Sequence, residues 1–230
     1  MITERNYPWG QNSGIENIDF NKLPELLYQG DYQVILIVGP NGVGKGTIVE
    51  GLVDRNEGMV QVSRTTTKSI QIINSQYHQV TEHFFFDAIN RGDFIEWSKY
   101  GQGYYGTTIH DITQSLEKGK RLIIDVDLDG GLILREFFKK LGVEVYDCFV
   151  SPIGYEGLKR DGGIKNALIE LQRRLAVRDR EDSMEEFEGR LRNARPTLLR
   201  AGEFSYYIAN LSNQAGESVK AIEKLIGKGR

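Results

Sequence analysis

A chain of 230 residues, 40% hydrophobic and 27% charged, with a net charge of −3, has the composition of a globular protein long enough to bury one sizeable core. The slightly acidic balance excludes a broad electrostatic attraction to nucleic acid or to an anionic membrane surface. A single cysteine, Cys148, excludes an internal disulfide and reads as a small buried residue on a strand. No apolar run reaches membrane-spanning length, and Met1–Asn6 has no signal-peptide character. The expectation is a cytoplasmic protein with no nucleic-acid or membrane partner.

Residues 1–31, with Pro8, Gly10, Asn12, Ser13 and Gly14 and a short helical stretch around Lys22–Tyr28, read as an extension ahead of the first core strand and carry no assignable chemistry. Val34–Val38 is a β-branched apolar run that predicts a buried strand. Gly39-Pro40-Asn41-Gly42-Val43-Gly44-Lys45-Gly46-Thr47 follows, and Ile48–Arg55 predicts a helix. Strand, glycine-rich turn, lysine and helix form the context of a phosphate-binding P-loop. Glycines let the backbone N–H groups turn toward phosphate oxygens, the helix N-terminus adds partial positive charge, and Lys45 reaches the terminal phosphates. Gly46 stands where a Ser or Thr usually follows the lysine, with Thr47 next; this Gly-Lys-Gly-Thr variant resembles the loop of adenylate kinases.

Met59–Ser63 predicts a second strand, followed by the polar run Arg64–Ser69 and a weakly alternating Ile70–Val80 that suggests a hairpin. Thr81 is a plausible N-cap for a helix over 82–90 with Phe84, Phe85, Ala88 and Ile89 inward, closed by Gly92. Phe94–Trp97 is a short strand, the Gly101–Gly103 turn leads into Tyr104–Thr108, and a helix runs on to Lys118. Arg121–Asp127 is an apolar strand delivering acids at its C-terminal end, where Asp125, with Thr47, could serve Mg²⁺ directly or through water. Strands at 143–150 and 204–209 and helices near 129–140 and 214–227 complete an alternating β/α pattern, which predicts an α/β fold around a parallel sheet.

Between Lys159 and Arg200 lie 11 of the 29 Lys and Arg residues beside eight acids. Ile164, Leu168, Leu171 and Leu175 form one helical stripe, and Phe187, Leu191, Ala194 and Leu198 a second. Ser183 and Glu186 between them make a capping box. Such a hairpin is either a solvated surface pair or a lid that brings arginines, among them Arg178 and Arg180, to a polyphosphate.

The order of P-loop, Ser63-Arg64-Thr65-Thr66, Tyr77-His78-Gln79-Val80, Gly92-Asp93-Phe94-Ile95-Glu96-Trp97, Gly103-Tyr104-Tyr105-Gly106-Thr107 and Ile124-Asp125-Val126-Asp127 resembles the guanylate kinase family from about residue 33 to Asn210, most specifically over 92–107. The resemblance implies a P-loop three-layer core with parallel sheet over 32–62, 108–152 and 200–230. It adds a small β-rich acceptor-binding subdomain over 63–107 and a helical lid over 153–199. It implies ATP and Mg²⁺, with ATP held by Gly39, Asn41, Gly42, Val43, Gly44, Lys45, Gly46, Thr47 and Asn210, the last beside the adenine. Glu96 would accept from guanine N1–H and its 2-amino group, Ser63 and Thr107 would meet the O6 side, and Tyr77 and Tyr105 would donate to the monophosphate, with Thr66 and Gly106 in the same pocket. Asp125 would lie between the nucleotides, Arg190 would be the second lid arginine, and Arg178 or Arg180 the first; with Lys45 these are the catalytic candidates.

Thr67, Ile70 and Ile73 stand where the family carries two arginines and a glutamate. Arg64 and Lys68 are the nearby cations that could replace that phosphate clamp. Extra sequence also lengthens the lid between Arg160 and Leu171. The reading is an ATP-dependent kinase for GMP or dGMP, with a kinase for a modified guanine-like acceptor and a non-catalytic binding module as the alternatives.

Overall fold

The computed structural model describes residues 18, 20–69, 76–101, 103–178, 184–212 and 214–227. The fold is α/β, as predicted, with a parallel five-stranded core sheet and a smaller mixed sheet. Two 3₁₀ turns, Phe20–Lys22 and Glu25–Tyr28, replace the helix expected near 22–28, because Pro24 between them has no N–H to continue a helix.

Strand β1 (Gln33–Val38) leads through the glycine loop into α1 (Lys45–Arg55). Strands β2 (Met59–Gln61), β3 (Arg64–Thr66) and β4 (Tyr77–Gln79) follow, then α2 (Glu82–Arg91), β5 (Phe94–Tyr100), β6 (Gly103–Thr108) and α3 (Ile109–Leu116). The chain continues with β7 (Arg121–Val126), α4 (Leu128–Lys140), β8 (Glu144–Ser151), α5 (Tyr155–Lys159), α6 (Gly163–Arg178), α7 (Met184–Leu199), β9 (Tyr206–Ala209) and α8 (Ala215–Ile226). The core sheet runs β2-β7-β1-β8-β9 and the small sheet β4-β3-β6-β5. Strand β1 is therefore central, and its residues 34–38 are wholly buried, as expected of a strand covered on both faces. The described residues fall into two compact units, one drawn from 1–34, 58–123 and 132–145, the other from 35–57, 124–131 and 146–230.

Within the first unit, the first half of the hairpin expected over 70–80 lies outside the described residues, which omit 70–75; the described β4 pairs parallel to β3, Arg64 opposite Tyr77. The first half of the polar run that follows Ser63, Arg64–Thr66, is thus a strand. The expected α2 caps are present: Thr81 Oγ1 accepts from Phe84 N at 3.2 Å, and Gly92 takes the left-handed conformation at φ 77°. The inward face differs by one residue. Phe85 and Ala88 are buried with Phe94, Trp97 and Tyr104, and Ile89 packs against that cluster, whereas Phe84 is 52% exposed with Arg91 over its ring. Adjacent helical residues point about 100° apart, so Phe84 and Phe85 cannot share the core face. Asp111 closes a capping box with Thr108 at the head of α3 and also accepts from Thr65 Oγ1 at 3.3 Å, with His78 Nδ1 3.1 Å away. That carboxylate ties β3 and β4 to α3.

Within the second unit, α1 packs on α8, where Asn56 Nδ2 donates to Glu223 Oε1 at 3.2 Å. Cys148 is fully buried on β8 as predicted, its thiol pushed up to about 12 by burial and then by Asp147. The α6 stripe is buried at Leu171 and Leu175 and half-buried at Ile164 and Leu168; on α7, Ala194 and Leu198 are buried. The capping box at Ser183 lies outside the described residues, as does the Phe187 side chain. Glu170 on α6 accepts from Arg173 Nη2 at 3.0 Å, from Arg174 Nε at 2.7 Å and from Ser212. The Arg173 bond foremost, with those from Ser212 and Arg174, holds its carboxyl well below the usual carboxylate range against the opposing pull of burial.

Two predictions follow from these packings. Phe85→Ala should cost about 3–5 kcal/mol in denaturant titrations, and Phe84→Ala well under 1 kcal/mol, since an exposed ring loses little; equal losses would mean the α2 face is misassigned. For Glu170 the folded carboxyl lies below its unfolded value. Its contribution is therefore present above the unfolded carboxylate range, near pH 4.3, and is lost as pH falls below it. Glu170→Gln should lower the melting temperature at pH 7, and the gap to wild type should narrow as pH is taken to about 3. A gap independent of pH would show that the carboxylate charge contributes nothing.

Candidate active site

The glycine loop closes tightly at the end of β1. A Cβ on Gly39 would sit 2.4 Å from Val150 O, and Gly44, at φ 95°, would place one 2.5 Å from Asn210 Nδ2, so neither position admits a side chain. Val43 is fully buried, and its carbonyl accepts from Asn210 Nδ2 at 2.7 Å and from Arg174 Nη1 at 3.3 Å. Asn41, Gly42 and Gly46 are half-buried along the same loop. Lys45 opens α1 and folds back on the loop: Nζ donates to Gly39 O at 3.0 Å and lies 3.8 Å from Asp125 Oδ1. Thr47, the third residue of α1, is exposed. Of the two acids ending the β7 segment, Asp127 accepts from Gly130 N at 2.8 Å and caps α4, while Asp125 faces the lysine.

Asn210, expected beside an adenine, is buried with both ends of its amide engaged: Nδ2 on Val43 O, and Oδ1 accepting from Ser218 Oγ at 3.1 Å. The structure places it as a brace of the loop. Arg174 is a residue that sequence reasoning passed over, because it sits in a charge-rich helix that resembles a solvated face. Its guanidinium reaches both Val43 O and Asn210 O, the latter at 2.9 Å. The only signal in the sequence was its place one residue before buried Leu175, whose side chain in turn packs on Gly42. Arg180 lies outside the described residues, as do the side chains of Arg178 and Arg190.

The acceptor candidates gather on the small sheet of the first unit. Thr65 pairs with Gly106, Thr66 with Tyr105, and Glu96 with Thr107. Because side chains alternate along a strand, Arg64 and Thr66 on β3, Tyr105 and Thr107 on β6, and Glu96 on β5 share one face, joined by Tyr77 on β4 opposite Arg64. Tyr104, Trp97 and the aromatic cluster lie on the other. A register shift between Phe94 and Glu96 is a bulge that aims Glu96 at Thr107. Glu96 is 1% exposed, so it is not the solvent-facing residue that simple alternation between Ile95 and Trp97 would give. Gly106 admits no Cβ, which would meet the Phe94 ring at 2.6 Å.

Arg64, expected beside a phosphate, is buried and donates from Nη2 to Glu96 Oε1 at 2.7 Å and from Nε to Thr107 Oγ1 at 3.2 Å. Thr107 Oγ1 donates in turn to Glu96 Oε1 at 2.6 Å. Thr66 is fully buried, donating to Tyr104 O at 2.9 Å and accepting from Lys68 N at 3.1 Å, so its hydroxyl braces the sheet. The Tyr77 and Tyr105 rings stand edge to face at 5.9 Å. Ser63 is half-buried just ahead of β3, and Lys68 is exposed.

Three comparisons bear on this arrangement. A family model described as guanylate kinase matches residues 31–228. A guanylate kinase of Parasynechococcus marenigrum is 30% identical over 201 residues, covering 84% of this chain and 97% of its own length. One of Prochlorococcus marinus subsp. pastoris is 27% identical over 197 residues, covering 84% and 96%. The crystal structure of guanylate kinase from Anaplasma phagocytophilum shares the fold, with a TM-score of 0.59 at 16% identity over 88% of each chain. With a family match that spans residues 31–228, the chain belongs to the guanylate kinase family.

Proposed function

We propose that this protein transfers the γ-phosphoryl group of ATP to a guanine nucleoside monophosphate, GMP or dGMP, giving the diphosphate and ADP. The observation that carries the reading is Lys45 at the head of α1 with its Nζ folded into the P-loop. A non-catalytic binding module has no need of that lysine. An oxygen of the acceptor phosphate attacks the γ-phosphorus, and the bond from γ-phosphorus to the bridging oxygen breaks as ADP leaves. The protein's work is to position both nucleotides and to offset negative charge spreading over the transferred group.

Lys45 leaves the Gly39 and Pro40 carbonyls for the terminal phosphates, and the N–H groups of 42–47 line the anion site at the α1 N-terminus. Asp125, 31% exposed beside Lys45, and the exposed Thr47 are the oxygens we assign to Mg²⁺. They fit it: Mg²⁺ takes few protein ligands, all hard oxygens, and draws the rest from phosphates and water. When bound, the ion neutralises phosphate charge. Residues 153–199 are assigned to a lid, with Arg178, Arg180 and Arg190 as its phosphate-facing cations; the charge-rich α6–α7 hairpin supports that assignment. Glu96 takes donors of the base, and Tyr77 and Tyr105 the monophosphate. We place the reaction in the cytoplasm, where ATP is held and where a lone buried thiol such as Cys148 stays reduced.

Lys45→Ala should lower kcat for ATP with GMP at least about a hundredfold while the melting temperature shifts little, because Lys45 contributes to the site and not to the apolar core. A coupled assay beside thermal melts reads both. Turnover close to wild type would overturn the assignment.

A further inference from the structure

The peptide units on either side of the Val43–Gly44 link are held by the backbone itself. Val43 N donates to Pro40 O at 3.3 Å, and Ile48 N donates to Gly44 O at 3.2 Å as the first bond of α1. The link between them is held by side chains: its carbonyl accepts from Asn210 Nδ2 at 2.7 Å and from Arg174 Nη1 at 3.3 Å. No peptide bond among the described residues is cis, and in a planar trans unit the N–H points opposite to the C=O. With Val43 O drawn toward Asn210 and Arg174, Gly44 N–H faces the other way. It stands just ahead of the N–H groups of Lys45, Gly46 and Thr47, which the first turn of α1 leaves without intrahelical partners. Gly44, the N-cap, has no side chain to offer them.

Gly44 leaves this link loose. A Cβ there would lie 2.5 Å from Asn210 Nδ2, and the residue stands at φ 95°, so the position requires glycine. Glycine adopts positive and negative φ with similar ease. Turning a peptide unit over changes only the ψ before it and the φ after it, so nothing in Gly44 itself keeps its N–H toward an anion. Arg174 supplies the restraint. Its Nε donates to Glu170 Oε1 at 2.7 Å and its Nη2 to Asn210 O at 2.9 Å, so its charge is matched locally and its fork is fixed at 15% side-chain exposure. A guanidinium engaged in this way acts on a phosphate through the loop: it fixes the Val43–Gly44 peptide and polarises it, which strengthens the donor at its far end. We propose that Arg174 is a positioning residue for phosphate binding, holding Val43 O so that Gly44 N–H stays aimed at the anion site. The inference rests on the phosphotransfer reading above and adds to it a residue that lies outside the glycine loop.

The test compares wild type with Arg174→Met, which keeps an apolar stem and removes every donor. Glu170 is not stranded by that change, because it still accepts from Arg173 and Ser212. Arg173→Met is the control, since Arg173 shares Glu170 and Ser212 and leaves Val43 O untouched. Three quantities are read: Kd for inorganic tripolyphosphate and for ATP by calorimetry, turnover with ATP and GMP, and the NMR signal linking the Val43 carbonyl to the Gly44 amide in the ligand-free protein. Selective isotope labelling of valine and glycine isolates that signal, and the Val38–Gly39 pair serves as internal reference. Arg174→Met should weaken tripolyphosphate and ATP by a similar factor, at least about tenfold, and lower kcat at least about tenfold, as the loss of one aligned donor does. It should also move the Val43–Gly44 signal and leave Val38–Gly39 in place, while Arg173→Met leaves all three quantities near wild type. Arg174→Lys keeps a charge beside Glu170 and loses the planar fork; it should show the same losses, and it decides the question if the methionine variant does not fold. Unchanged tripolyphosphate affinity overturns the proposal, whether or not ATP is weakened, because Arg174 then acts on the base or ribose or on stability alone. An unmoved Val43–Gly44 signal overturns it too, because a direct grip on phosphate needs no change in the free loop. If wild type binds tripolyphosphate but does not turn over ATP with GMP, the phosphotransfer reading fails, and the binding and the loop signal still decide the role of Arg174. A wild type that binds no tripolyphosphate ends the proposal.

Discussion

A loop that cradles phosphates works only if its N–H groups are held in place before the ligand arrives, and here that constraint falls on the carbonyl of Val43. Asn210 Nδ2 and Arg174 Nη1 both donate to it. Asn210 is itself fixed by Ser218 Oγ and by its own N–H to Ser151 O at 2.8 Å. The turn after β1 is thereby tied to the ends of β8 and β9 and to the start of α8. Gly39 lies against Val150 O on the near side, and Gly42 against Leu175 on the far side. A loop braced at so many points needs little reorganisation when charge develops on a phosphoryl group, which is the main source of electrostatic catalysis.

The same bracing joins α6 to the loop. Arg174 bonds Val43 O, Asn210 O and Glu170, and Glu170 bonds Ser212 and Arg173. Arg174 and Glu170 are partly buried, so their pair keeps more of its strength than an isolated surface pair does, whereas Arg173 is exposed. The bonds to the loop also mean that α6 is anchored at Arg174, four residues before its end.

Much of this was legible in the chain. Buried strands announce themselves as short β-branched runs, and β1, β7 and β8 were read close to their observed bounds. The glycine loop has a spacing that few other structures need. What resisted reading depends on register and not on composition. That Glu96 is buried follows from a bulge at Ile95, and that Arg64 meets it follows from the pairing of β3 with β6; neither leaves a trace in local sequence. Phe84 and Phe85 are chemically alike, and only the phase of α2 separates them. Arg174 and Glu170 looked like the charges of any solvated helix, because a brace is defined by the carbonyl at its far end. Asn210 carries an amide that suits an adenine as well as a loop carbonyl, and the structure alone gives it the second partner.

The small sheet separates two tasks by face. One face carries Phe94, Trp97 and Tyr104 packed beneath Phe85 and Ala88, and an aromatic cluster of that kind supplies the burial that stabilises a four-stranded sheet. The other face carries the polar row. A buried ion pair adds little stability over apolar residues of similar volume, because desolvation offsets the attraction, while removing one partner strands the other charge at a cost of several kcal/mol. Arg64 and Glu96 are therefore not there to hold the sheet together; the aromatic face does that. Changing Arg64 alone would therefore strand Glu96 and cost stability even where the aromatic packing on the other face is untouched. The two faces thus alternate residue by residue along β6: Tyr104 to the core, Tyr105 to the polar face, Gly106 to the close approach of Phe94, and Thr107 to the Glu96 carboxylate.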